Sequence, residues 1–205
     1  MLKRSTFLAA LAGAALFGAS LAAHDVTPTD RKTLVDHLKK TEAVFLKSIS
    51  GLSEAQWKWK PAPERWSVAE TAEHITKAED LLRGRVEGML KAPAAAPDLL
   101  AKTQGKDAMI LQVIPDRSKK AQAPEPLVPK GSFATKAALI DAFKAARAKT
   151  LAVAGGTSDL RAYANADLPV GETDAYQGIL FLSAHTERHT KQIEEVKATT
   201  GYPAK

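Results

Sequence analysis

Four stretches of the sequence carry apolar residues at spacings of three and four, with helix-capping residues near their ends. Such spacing places the apolar side chains on one face of an α-helix. The second stretch opens with Ser67 and Glu70, the two partners of a capping box. The stretches cover residues 27–51, 67–93, 133–154 and about 173–200. No segment alternates as a sustained strand would, so the sequence predicts an all-α fold, most simply a four-helix bundle.

The connections between these helices differ in length. Residues 91–132 hold six of the eleven prolines, which predicts a long loop insertion between the second and third helices. Loops of this length are typically functional covers or disordered segments. A shorter connection, residues 51–66, is rich in tryptophan and proline and can lay three indoles over one end of the bundle. Those indoles belong to Trp57, Trp59 and Trp66.

The first 22 residues have the pattern of a secretory signal peptide, with Lys3 and Arg4 ahead of an uncharged stretch rich in alanine and leucine. We expect cleavage after Ala22, or alternatively after Ala23, to leave one domain over residues 23–205. An uncleaved membrane anchor is the competing interpretation. The expected mature protein is periplasmic or secreted and free of the membrane. Loss of Lys3 and Arg4 lowers the formal net charge from +6 to +4, and the dispersed basic residues argue against nucleic-acid binding.

The chain has no cysteine, which excludes disulfides, thiolate metal sites and a cysteine nucleophile. Any metal site must therefore use histidine, aspartate or glutamate. Five histidines are available, and three of them fall beside predicted buried faces. His185 and His189 are one turn apart on the apolar side of the fourth helix, and His74 lies beside the buried stripe of the second.

Two inward imidazoles need a polar partner, and a shared metal ion is the simplest one. Facing second and fourth helices would bring His74, His185 and His189 together around a divalent metal with an open fourth position. Zinc, nickel and iron suit imidazole ligands, and copper does as well. The alternative interpretation is a pair of surface histidines and an ordinary core histidine.

Other polar residues near the buried faces have simpler interpretations. His24 is expected at the new N-terminus, with copper or nickel binding as a minor alternative, and His37 at the edge of the first helix. Glu70 can orient His74, although its capping role already accounts for it. Glu42 and Arg147 can line a cavity, but surface or snorkelling positions are the default expectation.

Three segments together resemble the DinB superfamily: residues 57–63, residues 65–74 and the histidine pair within residues 181–193. Residues 115–118 and 123–126 are similar to exported members. The resemblance covers about residues 30–200 and implies a bundle in which His74, His185 and His189 bind a divalent metal. Characterised relatives include metal-dependent thiol transferases and thiol-dependent isomerases. Those enzymes are cytoplasmic, whereas this chain is expected to be exported.

Two functions of different class follow from these expectations. The first is a metal-dependent transferase or hydrolase of the cell envelope that acts on a small molecule. The second is a non-catalytic metal-binding or stress-associated bundle, and a purely structural bundle without metal is a third interpretation. A homodimer is compatible with either function.

Overall fold

The computed structural model of the protein describes residues 25–205 and confirms the all-α bundle. Four long helices form its body. They are α1 (Pro28–Ser48), α3 (Val68–Leu90), α6 (Lys136–Gly156) and α7 (Ala175–Lys197). Three shorter helices complete the set: α2 (Glu54–Lys58), α4 (Pro97–Ala101) and α5 (Lys106–Val113). Helix α7 packs against α1, α3 and α5, so it is the central element of the fold.

Helices α1 and α3 begin at the capping residues that the sequence predicts, whereas α6 begins at Lys136, behind Thr135, rather than at residue 133. In α3 the Ser67 hydroxyl accepts a hydrogen bond from the Glu70 amide at 3.1 Å, and the Glu70 carboxylate accepts one from the Ser67 amide at 2.7 Å. This capping box is the one that the sequence predicts. In α1 the Thr27 hydroxyl accepts a hydrogen bond from the Asp30 amide at 3.0 Å. Helix α7 also opens with a capping box, in which Asp174 pairs with Gln177.

The prediction of one long loop between α3 and α6 is not confirmed. This stretch contains α4, α5 and a short 3-10 helix, Glu125–Leu127. Helix α5 is held by tertiary packing, because Ile110 is fully buried against α7 within the main apolar cluster. Such short helices form through contacts with the rest of the fold rather than through their own propensity.

One short hairpin accompanies the helices, and the sequence pattern did not predict it. An antiparallel hairpin pairs β1 (Ala164–Leu168) with β2 (Gly171–Asp174) directly before α7. Gly171 supports its turn with φ of +77°, a left-handed conformation that glycine adopts without strain. The strands are too short and too polar to produce a recognisable alternation.

A buried polar layer crosses the bundle and separates two apolar clusters. One cluster includes Leu38 and Leu82, and the other includes Phe45 and Phe143. The layer is built from six buried side chains: Thr41, Glu79, Arg147, Thr150, Ser183 and Thr186. The surface interpretation of Arg147 was therefore wrong, since this side chain is fully buried at the centre of the fold.

Gly178 marks a close approach between α7 and α3. A Cβ atom added there would lie 2.8 Å from Cγ2 of Val86, a branched side chain with little rotamer freedom in a helix. Gly178→Ala is therefore expected to destabilise the protein by about 1–3 kcal/mol, from overpacking. The matched control is Gly84→Ala, at an exposed helical site with open space, where alanine should stabilise by about 0.5–1 kcal/mol. Urea unfolding measures both, and equal effects at the two sites would contradict the close-packing interpretation.

The expected signal peptide and His24 lie outside the described residues. Within residues 25–205, no helix combines the length and the apolar character needed to cross a membrane.

Candidate metal centre

Three imidazoles converge between α3 and α7. Nε2 of His74 lies 3.2 Å from Nε2 of His185 and 3.1 Å from Nε2 of His189. Ligands at 2.0–2.1 Å from a tetrahedral ion lie about 3.3 Å from one another, so these spacings fit three ligands of a single ion. The structure thus brings together the three histidines that the sequence singles out, and their arrangement is compatible with metal binding.

The outer nitrogens of two of the rings are held by oxygen acceptors. Nδ1 of His74 lies 2.9 Å from the Leu127 carbonyl oxygen, and Nδ1 of His189 lies 2.8 Å from Oε1 of Gln192. A carbonyl or side-chain amide oxygen can only accept a hydrogen bond. Nδ1 of His74 and Nδ1 of His189 therefore carry the proton, and Nε2 of each ring presents its lone pair. Partners of this type fix the tautomer and the orientation of metal-binding histidines.

Aromatic side chains pack against the imidazoles. The Trp66 ring centre lies 5.0 Å from that of His74, and the Phe181 ring stacks on His185 at 6.3 Å. His74 is only 2% exposed, whereas His185 remains partly exposed. Of the three indoles of the tryptophan-rich connection, Trp66 therefore reaches the histidines. Trp57 is buried in the core, and Trp59 packs edge-on against Tyr202.

Burial keeps the three imidazoles neutral. It is the main cause that lowers the pKa of His74, His185 and His189, because a desolvated ring resists protonation. For His185, burial together with the nearby His74 and Arg188 lowers the pKa to about 3. Neutral rings with free Nε2 lone pairs at pH 7 are the form that binds a metal.

These pKa shifts predict an acid-sensitive apoprotein. In the unfolded chain the histidines take up protons near pH 6.5, whereas the folded chain resists protonation. At pH values below about 6.5 the unfolded state therefore binds more protons than the folded state. The free energy of unfolding decreases as the pH is lowered further towards the folded pKa values, by at most roughly 1.4 kcal/mol per pH unit for each histidine. Urea unfolding in chelator at pH 7, 6 and 5 measures the slope. Replacing all three histidines with glutamine should flatten it, and an unchanged slope would assign the effect to other groups.

No fourth side-chain ligand joins the three histidines within residues 25–205. Glu70 serves the capping box and pairs with Lys60, as its simpler interpretation predicts. His37 is half-buried on α1 and Glu42 is half-buried on the same helix, and neither belongs to the histidine group. A metal held by the three imidazoles would therefore keep a coordination position for water or substrate.

Several contributors to this centre were missed by sequence reasoning. The Leu127 carbonyl comes from the proline-rich stretch, and no local pattern assigns it to His74. The contact between Gln192 and His189 could have been predicted, because Gln192 stands three residues after His189 on the same helical face.

Two clefts open on the surface of the described chain. One, of about 550 Å³, is lined by residues that include Trp57, Glu73 and Phe133. The other, of about 470 Å³, lies beside Val26 and Arg31 at the start of α1. Neither lining includes a histidine.

Comparison with known proteins places this geometry in context. A family model described as the DinB superfamily matches residues 37–193, which include all three histidines. An uncharacterised protein of Bacillus subtilis (strain 168), YuaE, is 26% identical over 155 residues, covering 73% of this chain and 88% of that protein. No solved structure gives a significant match.

Proposed function

The chain belongs to the DinB superfamily, and from this premise we propose that it binds a divalent metal through His74, His185 and His189. The observation that carries the proposal is the convergence of their three Nε2 atoms. The donor set consists of neutral nitrogens, which suits zinc, nickel or iron. We further propose that the metal supports a transferase or hydrolase reaction on a small molecule. A divalent ion with an open position can activate water or a thiol.

The surrounding residues have defined roles in this proposal. The Leu127 carbonyl and Gln192 hold two of the rings so that Nε2 faces the ion. Trp66 and Phe181 cover the imidazoles and limit access of water. A substrate would approach on the exposed side of His185. No general acid or base is assigned.

A non-catalytic metal-binding or stress-associated role is the second candidate. It is favoured because no further carboxylate or imidazole joins the three histidines within residues 25–205 to act as a general base beside the ion.

Export is part of the same proposal. We propose that residues 1–22 are removed and that the mature domain, residues 23–205, works in the periplasm or outside the cell, as a monomer or a homodimer. The N-terminal sequence pattern supports this. Intact-mass measurement of protein from the cell-envelope fraction should find a chain that begins at Ala23, and a full-length cytoplasmic chain would contradict export.

Two measurements separate the candidate functions. Protein purified without a histidine tag should contain close to one equivalent of a divalent metal. The metal-loaded protein is then assayed with thiol-plus-electrophile pairs and with ester substrates, with the chelated apoprotein as control. Metal-dependent turnover supports the enzyme, whereas bound metal without turnover favours the second candidate. Absence of zinc, nickel and iron binding would reject both.

A further inference from the structure

The segment from residue 114 to residue 132, here called the strap, is fastened to the two helices that carry the histidines. Its anchors on α3 and on α7 stand beside the imidazoles in sequence. We propose that strap docking and metal binding are coupled, so that each stabilises the other. This inference rests on the proposed metal site.

On α3 the anchors are Glu73, His74 and Lys77. The Glu73 carboxylate, on a residue only 4% exposed, accepts hydrogen bonds from the amides of Lys130, Gly131 and Ser132 and from the Ser132 hydroxyl. Lys77 donates to the Val128 carbonyl at 3.0 Å. The His74 ring donates to the Leu127 carbonyl between these two anchors. One end of the strap is therefore attached to the same turns that present His74.

On α7 the anchors are Arg188, Gln192 and Glu195. The Arg188 guanidinium donates to the carbonyls of Ile114, Asp116 and Lys119, three successive points along the strap. Arg117 of the strap makes a two-point ion pair with Glu195 and donates to Oε1 of Gln192 at 3.3 Å. Because Oε1 of Gln192 also accepts from His189, Arg117 is two hydrogen bonds away from a proposed ligand.

The strap thus acts on two of the three rings. When it is docked, the Leu127 carbonyl holds the protonated Nδ1 of His74, and Arg117 holds the Gln192 oxygen that orients His189. Undocking removes the contact between Leu127 and His74, and it frees the Gln192 side chain from Arg117. Loss of such outer contacts typically weakens metal binding by 10–100-fold. Thermodynamic reciprocity then requires that the metal favour the docked strap by the same factor.

The coupling and a purely electrostatic effect predict opposite changes in metal affinity for Arg188→Ala. Arg188 is a cation next to His189 in sequence, and a nearby positive charge opposes binding of a divalent cation. If charge alone mattered, Arg188→Ala would strengthen metal binding. The coupling predicts weaker metal binding instead, because the variant loses three hydrogen bonds that hold the strap.

The first arm of the experiment measures Zn²⁺ affinity by competition with a chelator. Arg188→Ala and Arg117→Ala are each expected to weaken Zn²⁺ binding about 10–100-fold. The matched control is Lys191→Ala, which removes one exposed positive charge from the same helix and whose ion pair is with Glu187 of that helix rather than with the strap. Its affinity should remain close to that of the wild type. Far-UV circular dichroism confirms that each variant is folded.

The second arm needs only the wild-type protein. Trypsin can cut after Lys119 and Lys120, which are exposed in the strap, and mass spectrometry follows that cleavage. Zn²⁺ is expected to slow cleavage there at least tenfold, and by more than it slows cleavage after Lys91, an exposed site beyond the end of α3. Equal slowing at both places would indicate global stabilisation rather than docking.

The possible results are distinct. Weaker Zn²⁺ binding in the arginine variants together with selective protection of the strap supports the coupling. Wild-type protein that binds Zn²⁺ without selective protection, with variants that bind it equally or more tightly, overturns the coupling and leaves the metal site standing. A wild-type protein that binds no Zn²⁺, Ni²⁺ or Fe²⁺ overturns the proposed function itself.

Discussion

Arg147→Met is expected to lower the free energy of unfolding by about 3–5 kcal/mol, because it leaves the Glu79 carboxylate charged and buried without its partner. Both side chains are fully buried, and their closest nitrogen–oxygen contacts are 2.8 Å. The other guanidinium N–H groups donate to the Leu38 carbonyl and to the hydroxyls of Thr41 and Thr186. All five donors of the guanidinium are thus satisfied.

The control for this prediction removes both charges. The double variant Glu79→Leu/Arg147→Met leaves no unpaired ion, and apolar replacements of buried pairs are often neutral or stabilising. We therefore expect it to recover most of the lost stability. Urea unfolding, followed by circular dichroism, gives the free energies of the three proteins. A single variant within about 1 kcal/mol of the wild type would show that the pair is not desolvated as described.

His185→Ala is expected to weaken metal binding by more than about 100-fold, since even outer contacts of a metal site are worth 10–100-fold. His74→Ala and His189→Ala should have similar effects, because Nε2 of His74 lies at nearly the same distance from Nε2 of His185 and from Nε2 of His189. Metal analysis and chelator competition measure the change.

The control for the ligand variants is His37→Ala. His37 lies on α1, outside the histidine group, so its loss should leave metal binding unchanged. Equal metal content in the wild type and in His185→Ala would reject the three-histidine site. An equal loss in His37→Ala would instead indicate nonspecific binding by surface histidines.

The N-terminal ends of α1 and α3 could be predicted because their determinants are local. Ser67 and Glu70 form a capping box within one turn, and Thr27 caps α1 in the same way. The fold class follows from these ends and from the apolar spacing between them. Short elements were missed since their stability comes from elsewhere: α5 depends on the burial of Ile110, and the hairpin depends on its position against α7.

The site was predictable only in part. Helical spacing alone places His185 and His189 on one face, but their approach to His74 requires the packing of α3 against α7. Arg147 was misjudged for a similar reason, because its partner Glu79 lies 68 residues away on another helix. No residue near Arg147 in the sequence indicates that Glu79 is its partner, so a surface position was the reasonable expectation.

The polar layer also sets the axial register of the bundle. Glu79 stands five residues after His74 on α3, and Thr186 follows His185 directly on α7. A slide of α7 by one turn, about 5.4 Å, would pull the Thr186 hydroxyl away from the Arg147 guanidinium. The same slide would carry His185 and His189 past His74. The Glu79–Arg147 ion pair joins α3 to α6, and the Thr186 hydroxyl joins α7 to the same guanidinium. These contacts therefore keep the three imidazoles level with one another before any metal arrives.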